Sequence, residues 1–147
     1  MAENDFKRAL TEPAPITCVW LSLASDTAAE LLAGAGFGAV VIDGEHAPND
    51  IDTIRRQILA AERHRCPVIA RTPINEPWVI KRIMDAGAQN VLVPMVDTAE
   101  QAMSAARACR FPPDGVRGVA AATRAADFGR MPGCKQPRAD PQHSTIS

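Results

Sequence analysis

The sequence predicts an α/β fold in which short parallel strands alternate with helices. Four apolar runs of strand length begin near residues 16, 39, 67 and 91, and each precedes a segment with apolar residues at helical spacing. The runs are continuously apolar, which is typical of a parallel sheet whose outer face is covered by helices. A doubly wound sheet and a (β/α)8 barrel both fit this order. A barrel needs eight such units and typically ~250 residues, and the sequence shows four units.

The strands are short and rich in β-branched and other apolar residues. They are predicted over residues 16–23, 39–42, 67–70 and 91–93. The second strand runs into Asp43, the third into Arg71 and the fourth into Pro94, and these residues mark where the apolar runs end.

Each strand is followed by a predicted helix with polar residues at its start. The predicted N-terminal caps, in order, are Ser25 or Asp26, Asp50, Asn75 and Asp97. Thr27 and Glu30 have the spacing of a capping box, Pro77 suits a first helical turn, and Glu100 opens the fourth helix. Three of the helices are predicted to end at Gly34 or Gly36, at Gly87 and before Phe111.

Apolar residues at intervals of three and four predict the buried faces of these helices. The predicted faces are Ile51, Ile54, Ile58 and Ala61 in the second helix, Val79, Ile80, Ile83 and Met84 in the third, and Ala99, Ala102, Met103 and Ala106 in the fourth. Residues 16–130 therefore form the predicted domain. Residues 1–15 are expected to lie loosely on the surface, and residues 131–147, which have three prolines and no apolar period, as an unstructured tail.

Composition excludes several classes of function. With 16 Lys and Arg against 17 Asp and Glu, the formal charge is −1, so neither a nucleic-acid surface nor an anionic-membrane surface is indicated. No apolar run approaches the roughly 20 residues of a membrane span, and no secretory signal pattern is visible. The four cysteines lack metal-ligand spacing. We predict a cytoplasmic protein with reduced thiols.

Ionisable side chains cluster where the second and third strands end. Asp43, Glu45 and His46 follow one strand within four residues, and Arg71 follows the next. The carboxyl ends of parallel strands form the rim at which α/β enzymes carry their chemistry, because that rim is open while the strand interior is buried. Imidazole titrates near neutrality, and a guanidinium keeps its charge and can grip an oxyanion in a fork. A surface histidine and a structural ion pair are the alternatives.

Three segments closely resemble the HpcH/HpaI aldolase family. They are LLAGAGFGAVVIDGEHAPND, PVIARTPINEPWVIKRIMDAGAQNVLVPMVDTAEQA and RFPPDGVRGV, within a match that covers residues 16–130. The resemblance implies a (β/α)8 barrel, an oligomer that is typically a hexamer, and a class II aldolase. Such enzymes cleave 4-hydroxy-2-oxo acids or 2-keto-3-deoxy sugar acids to pyruvate and an aldehyde, with Mg²⁺ or Mn²⁺ as cofactor.

The resemblance also implies roles for individual residues. His46 matches the catalytic base, Arg71 the arginine that steadies the enolate, and Asp85 the aspartate that raises the basicity of the histidine. By position alone Asp85 would be a solvated carboxylate at a helix end, away from the rim; the role holds if the helix ends irregularly or if a neighbouring subunit supplies the contact. Asp43 and Glu45 are expected to support the site, by orienting His46 or by holding water on the metal.

The sequence lacks the segments that carry the family's metal ligands. The family's metal ligands, a Glu in a Q-x-E segment and an Asp in a G-P-x-D segment, lie on the fifth and sixth strands, and neither segment occurs here. We therefore expect an incomplete metal site, with the ligands outside this sequence. The alternative to an aldolase is an inactive, truncated half-barrel, and we expect little activity from the chain alone.

Two rival interpretations of single motifs are disfavoured. A Schiff-base aldolase needs a lysine at a strand end, and Lys81 lies within a predicted helix. The GAGFG segment, residues 34–38, closes a helix before a strand, whereas a dinucleotide loop follows a strand and opens a helix. The PPDGVRGV segment has Arg117 and backbone amides for an anion, but the family resemblance makes it a rim or subunit-contact loop.

Overall fold

The structure is a computed structural model that describes residues 4–130. Its elements in chain order are α1 (Asp5–Ala9), β1 (Cys18–Leu21), α2 (Asp26–Ala33), β2 (Ala39–Asp43), α3 (Ile51–Glu62), β3 (Val68–Arg71), α4 (Pro77–Asp85), β4 (Asn90–Leu92), α5 (Ala99–Ala108) and a 3₁₀ segment (Arg124–Gly129). The predicted tail, with Cys134 and His143, lies outside the described residues. Within them, no helix has the length and apolar character needed to cross a membrane.

The four strands form one parallel sheet in the order β1-β2-β3-β4. Cys18 lies opposite Ala39 at the start of the first pair, and Asp43 lies opposite Arg71 at the end of the second. Neighbours in the sheet are therefore also neighbours in the chain, without the reversal of strand order that defines a doubly wound sheet. The predicted α/β fold is confirmed, and the strand order is that of a barrel segment.

The main core lies between the sheet and helices α2, α3 and α4. Alternate residues of β2, Val40 and Ile42, are buried against Ile54 and Ile58 of α3, and α4 adds Ile83 to the same cluster. Burying one such side chain stabilises the fold by about 1.5–3 kcal/mol. Since these helices share one face of the sheet, its other face corresponds to the inside of a barrel.

The inner face of the sheet holds a smaller cluster. Ala39, Val41 and Ile69 point away from the helices and are covered in part by Phe6 of α1. The Nδ2 of Asn4 also donates to Oδ1 of Asn90 at 2.8 Å. Residues 5–9 thus form a helix on the surface without a fully buried side chain, and Phe6 packs on an apolar face that the sequence of residues 1–15 does not reveal.

The helix caps are predicted with mixed success. Asp50 caps α3 in a capping box with Thr53, as its position indicates. Ser25 caps α2, so the capping-box spacing of Thr27 and Glu30 is not used for a cap. The N-cap of α4 is Glu76, not Asn75, and makes no side-chain bond, whereas that of α5 is Thr98, not Asp97. A residue with a cap-forming side chain lies within one position of the actual cap in each case.

The buried face of α5 is the main error in the helix predictions. Ala105 and Ala108 are buried, whereas the predicted residues Ala99, Ala102, Met103 and Ala106 are exposed. The reason is that α5 packs on Ile80 of α4 and not on the sheet. The position of α4, and not the apolar spacing within α5, decides which side of α5 is covered. The apolar faces predicted for α3 and α4 point inward, with Ile51 and Met84 partly exposed.

Candidate active site

The ends of β2 and β3 bring Asp43 and Arg71 into a forked ion pair. Nε of Arg71 donates to Oδ1 of Asp43 at 3.0 Å, and Nη2 donates to Oδ2 at 2.7 Å. The two residues are opposite each other in the sheet register, so the backbone sets their side chains side by side. Two parallel charge-assisted hydrogen bonds fix the plane of the guanidinium as well as its position.

Glu45 connects this pair to His46. Nη1 of Arg71 lies 2.9 Å from Oε2 of Glu45, and Nε2 of His46 lies 3.6 Å from the same oxygen. The His46 side chain is 72% exposed, while those of Arg71 and Glu45 are mostly buried. The imidazole and the guanidinium that the sequence predicts at neighbouring strand ends therefore share one carboxylate oxygen at an open rim.

The backbone between Asp43 and His46 turns tightly so that this arrangement can form. The N–H groups of Glu45 and His46 both donate to Oδ1 of Asp43 at 3.0 Å. The N–H of Gly44 donates to the carbonyl oxygen of Arg71, also at 3.0 Å. A Cβ at residue 44 would lie 2.4 Å from that carbonyl oxygen, so only glycine fits this approach of the two strands.

Charge stabilises the ionised forms of the pair. The Arg71 hydrogen bonds, together with the two backbone N–H donors, lower the pKa of Asp43 from 3.8 to about 2, although burial opposes the shift. The Asp43 carboxylate in turn raises the pKa of Arg71. Two carboxylates and one guanidinium give the cluster a formal charge of −1 with His46 neutral.

Trp20 is part of the site and was not predicted. Cζ of Arg71 lies 4.5 Å from the centre of the Trp20 ring, within the range of a cation–π contact. Trp20 pairs with Val41, two residues before Asp43, so both side chains face the inside of the sheet. Successive side chains of a strand point to opposite faces of the sheet. Within residues 16–23 this alternation places residue 20 on the same side as the functional groups, and this was the signal in the sequence.

The structure brings Asp85 to a different place. Asp85 is the last residue of α4, and its Oδ1 accepts from Nη2 of Arg117 at 2.7 Å. Arg117 is buried and stacks on the Phe111 ring at 4.7 Å. The helix-end position alone suggested a solvated carboxylate. In the structure Asp85 is instead ion-paired. Its catalytic role stays a prediction, and Arg117 of the PPDGVRGV segment is its partner within this chain.

The described residues do not by themselves fit a divalent cation. In residues 4–130 no three His, Cys, Asp or Glu side chains come together in a way that could hold a metal ion. Both oxygens of Asp43 accept from Arg71, and Oε2 of Glu45 faces Arg71 as well. These carboxylates are therefore paired with an arginine and are not arranged to coordinate a cation. The thiols of Cys18, Cys66 and Cys109 are free.

Comparison with known proteins gives one consistent result. The profile of the family described as HpcH/HpaI aldolase/citrate lyase matches residues 17–127. The chain is 48% identical over 129 residues to the hydroxypyruvate/pyruvate aldolase of Roseobacter denitrificans, covering 87% of this chain and 50% of the relative. It is 47% identical over 131 residues to a 4-hydroxy-2-oxo-heptane-1,7-dioate aldolase of Escherichia coli, with 88% and 50% covered.

Solved structures agree with the sequence relatives. A crystal structure of an HpcH/HpaI aldolase/citrate lyase family protein from Burkholderia cenocepacia superposes with a TM-score of 0.84 at 43% identity, covering 87% of this chain and 52% of that one. Macrophomate synthase superposes with a TM-score of 0.69 at 27% identity, covering 79% and 40%. The chain thus spans about half the length of the curated relatives it matches.

Proposed function

The chain belongs to the HpcH/HpaI aldolase/citrate lyase family, and on that premise we propose that it provides the residues of a carbon–carbon lyase that act on the pyruvate part of the substrate. The substrate is a 4-hydroxy-2-oxo acid or a 2-keto-3-deoxy sugar acid, and the products are pyruvate and an aldehyde. The relatives' names, which specify aldolases of hydroxypyruvate, pyruvate and 4-hydroxy-2-oxo-heptanedioate, support this reaction class.

His46 is the proposed base. Cleavage begins when a base takes the proton from the C4 hydroxyl, the C3–C4 bond breaks, and its electron pair becomes the enolate of pyruvate. The aldehyde leaves, and a proton added at C3 of the enolate completes pyruvate. The exposed imidazole can reach a substrate at the rim, and Glu45 lies close enough to orient it.

Arg71 is the proposed electrostatic group. Nε and Nη2 each donate one hydrogen bond to Asp43, and Nη1 is ion-paired with Glu45, so further N–H groups on Nη1 and Nη2 remain for a substrate oxygen. An oriented donor of this kind contributes about 3 kcal/mol when charge develops on the oxygen in the transition state. Asp43 acts through Arg71, since its carboxylate is buried under the guanidinium and under two backbone N–H groups.

One observation carries the proposal: Arg71 and His46 lie 2.9 and 3.6 Å from the same oxygen of Glu45. A base and a fixed positive charge that both lie beside one carboxylate oxygen can contact the same small oxo acid. The alternatives are a surface histidine and an isolated structural ion pair. Neither would require His46 and Arg71 to lie close together at the rim.

The remaining parts of the proposal concern groups outside residues 4–130 of one chain. We propose that Mg²⁺ or Mn²⁺ is the cofactor, held by residues not among those described, and that the protein is a cytoplasmic homo-oligomer. We propose further that Asp85 reaches the His46 of a neighbouring subunit, since within its own chain it pairs with Arg117. The chemistry that the cation would supply is polarisation of the 2-oxo group.

The inactive half-barrel is the second candidate. It is favoured by the absence of a metal-binding cluster in residues 4–130 and by the exposed inner face, where Trp20 and Leu92 are 48% and 42% accessible. In this case the chain retains the fold of the family without its turnover.

The test is pyruvate release from 4-hydroxy-2-oxo acids with Mn²⁺ or Mg²⁺. One arm uses the purified chain, and a second adds the separately produced second half of the Roseobacter denitrificans relative. The proposal expects activity in the second arm and its loss in His46→Ala and Arg71→Ala, with Arg55→Ala on the outer face of α3 as the control. Activity that survives both site substitutions would contradict the assigned roles, and inactivity in both arms would favour the half-barrel.

A further inference from the structure

A pair of side-chain amides lies directly behind the loop that carries the candidate site. Nδ2 of Asn49 donates to the carbonyl oxygen of Asp43 at 2.8 Å and approaches that of Leu21 at 3.5 Å. Nε2 of Gln57 donates to Oδ1 of Asn49 at 2.6 Å and to the carbonyl oxygen of Thr53 at 3.2 Å. The pair therefore ties the ends of β1 and β2 to the second turn of α3.

Gln57 is an unusual residue for its position. It is 1% exposed and lies between Ile54 and Ile58 on the face of α3 that packs in the main core. Its Oε1 is buried and has no hydrogen-bond partner within the described residues. An unsatisfied buried acceptor costs free energy that an apolar side chain of the same shape would not. The fold alone would favour leucine or methionine here.

We propose that Gln57 and Asn49 are positioning residues that hold residues 43–50 in the shape that brings Glu45 and His46 to Arg71. The inference rests on the proposed function, because the shape of this loop matters to catalysis only if these three side chains act. Neither amide reaches the rim, so both work through the backbone of Asp43 and through the start of α3.

The direction of the hydrogen bonds explains why two amides are needed. Gln57 donates to the oxygen of Asn49, and this leaves the amino group of Asn49 facing the carbonyl oxygens of Asp43 and Leu21. Without the donor from Gln57, the Asn49 amide can rotate and present its oxygen to those carbonyls, which repels them. The turn would then loosen, and the N–H groups of Glu45 and His46 would lose Oδ1 of Asp43.

Gln57→Met separates a positioning role from a purely structural one, because methionine keeps the volume and removes the donor. The proposal expects a urea denaturation midpoint equal to or above that of the wild type. It also expects at least tenfold faster hydrogen exchange at the Glu45 and His46 amides, which donate to Oδ1 of Asp43 in the wild type. Gln89→Met, on an exposed amide between α4 and β4, is the matched control and should change none of these quantities.

The exchange of Ile69 and Ala70 in β3 shows whether the variant remains folded. If Gln57→Met does not fold, Asn49→Ala takes its place, since Asn49 is only partly buried. A lower denaturation midpoint with unchanged exchange at Glu45 and His46 would overturn the proposal, because Gln57 would then serve the core alone.

Kinetics of the active assembly give the functional arm. There the proposal expects kcat to fall at least tenfold in Gln57→Met, with KM changed less than threefold. An unchanged kcat would overturn the positioning role. If the wild-type assembly itself is inactive, the proposed function fails, and the exchange measurements still decide whether Gln57 holds the loop.

Discussion

Replacing Asp43 with asparagine is the substitution whose effect can be worked out most fully from the structure. The variant keeps the size of the side chain and removes the charge that Arg71 grips. The pKa of Asp43 is lowered from 3.8 to about 2, and each unit corresponds to about 1.36 kcal/mol. The ionised carboxylate therefore contributes on the order of 2.5 kcal/mol to folding, with little loss to solvent screening because the side chain is 6% exposed.

The sign follows from the direction of the shift. A carboxyl group whose pKa is lowered by folding stabilises the protein above its unfolded pKa, and the contribution is lost as pH falls through the folded pKa. The difference in unfolding free energy between wild type and Asp43→Asn should be constant above pH 5. It should shrink by about 2 kcal/mol between pH 5 and pH 2, and the remainder is lost below pH 2.

Urea denaturation of both proteins across this pH range measures that difference. Asp52→Asn is the control, because Asp52 is an exposed carboxylate on α3 that pairs with the exposed arginines Arg55 and Arg56. Its difference from wild type should stay within about 0.5 kcal/mol at every pH. A difference for Asp43→Asn that does not change between pH 5 and pH 2 would refute the argument from the Arg71 pair.

Three further substitutions test separate parts of the account. Gly44→Ala should lower the unfolding free energy by about 1–3 kcal/mol in urea denaturation and broaden the NMR signals of the turn, because its Cβ would meet the Arg71 carbonyl oxygen at 2.4 Å. Arg71→Lys keeps the charge but loses the forked pair of hydrogen bonds, so kcat/KM of the active assembly should fall at least about 100-fold. A loss below threefold would contradict the role. Thr98→Ala removes the α5 capping box with Gln101 and should cost about 1 kcal/mol without affecting activity, as denaturation and kinetics together would show.

The parts of the fold that local sequence determines were predictable. The run Val40 to Ile42 and the spacing of Ile54 and Ile58 follow from burial between a sheet and a helix, and both are found where expected. Asp43 and Arg71 could be placed at one rim because parallel strands align their carboxyl ends. These predictions need only the repeat and the strand direction.

The parts that depend on a tertiary neighbour could not be predicted. The covered face of α5 is decided by Ile80 of α4, so Met103 is 62% exposed despite its apolar spacing. Strand alternation gives the face of Trp20 and helical spacing places Gln57 on the buried face of α3, but their contacts with Arg71 and Asn49 appear only in the fold. A sequence pattern gives the face of an element, and the partner on that face comes from the fold.

The most direct test of the central claim is an NMR titration of the chain with pyruvate in the presence of Mg²⁺. Signals from the His46 imidazole and from Nε–H of Arg71 are followed in wild type and in Arg71→Lys. If the two groups contact one small oxo acid, both signals shift with the same midpoint in the wild type, and the His46 shift weakens in Arg71→Lys. Different midpoints, or a His46 shift that is unchanged when Arg71 is replaced, would contradict a shared site.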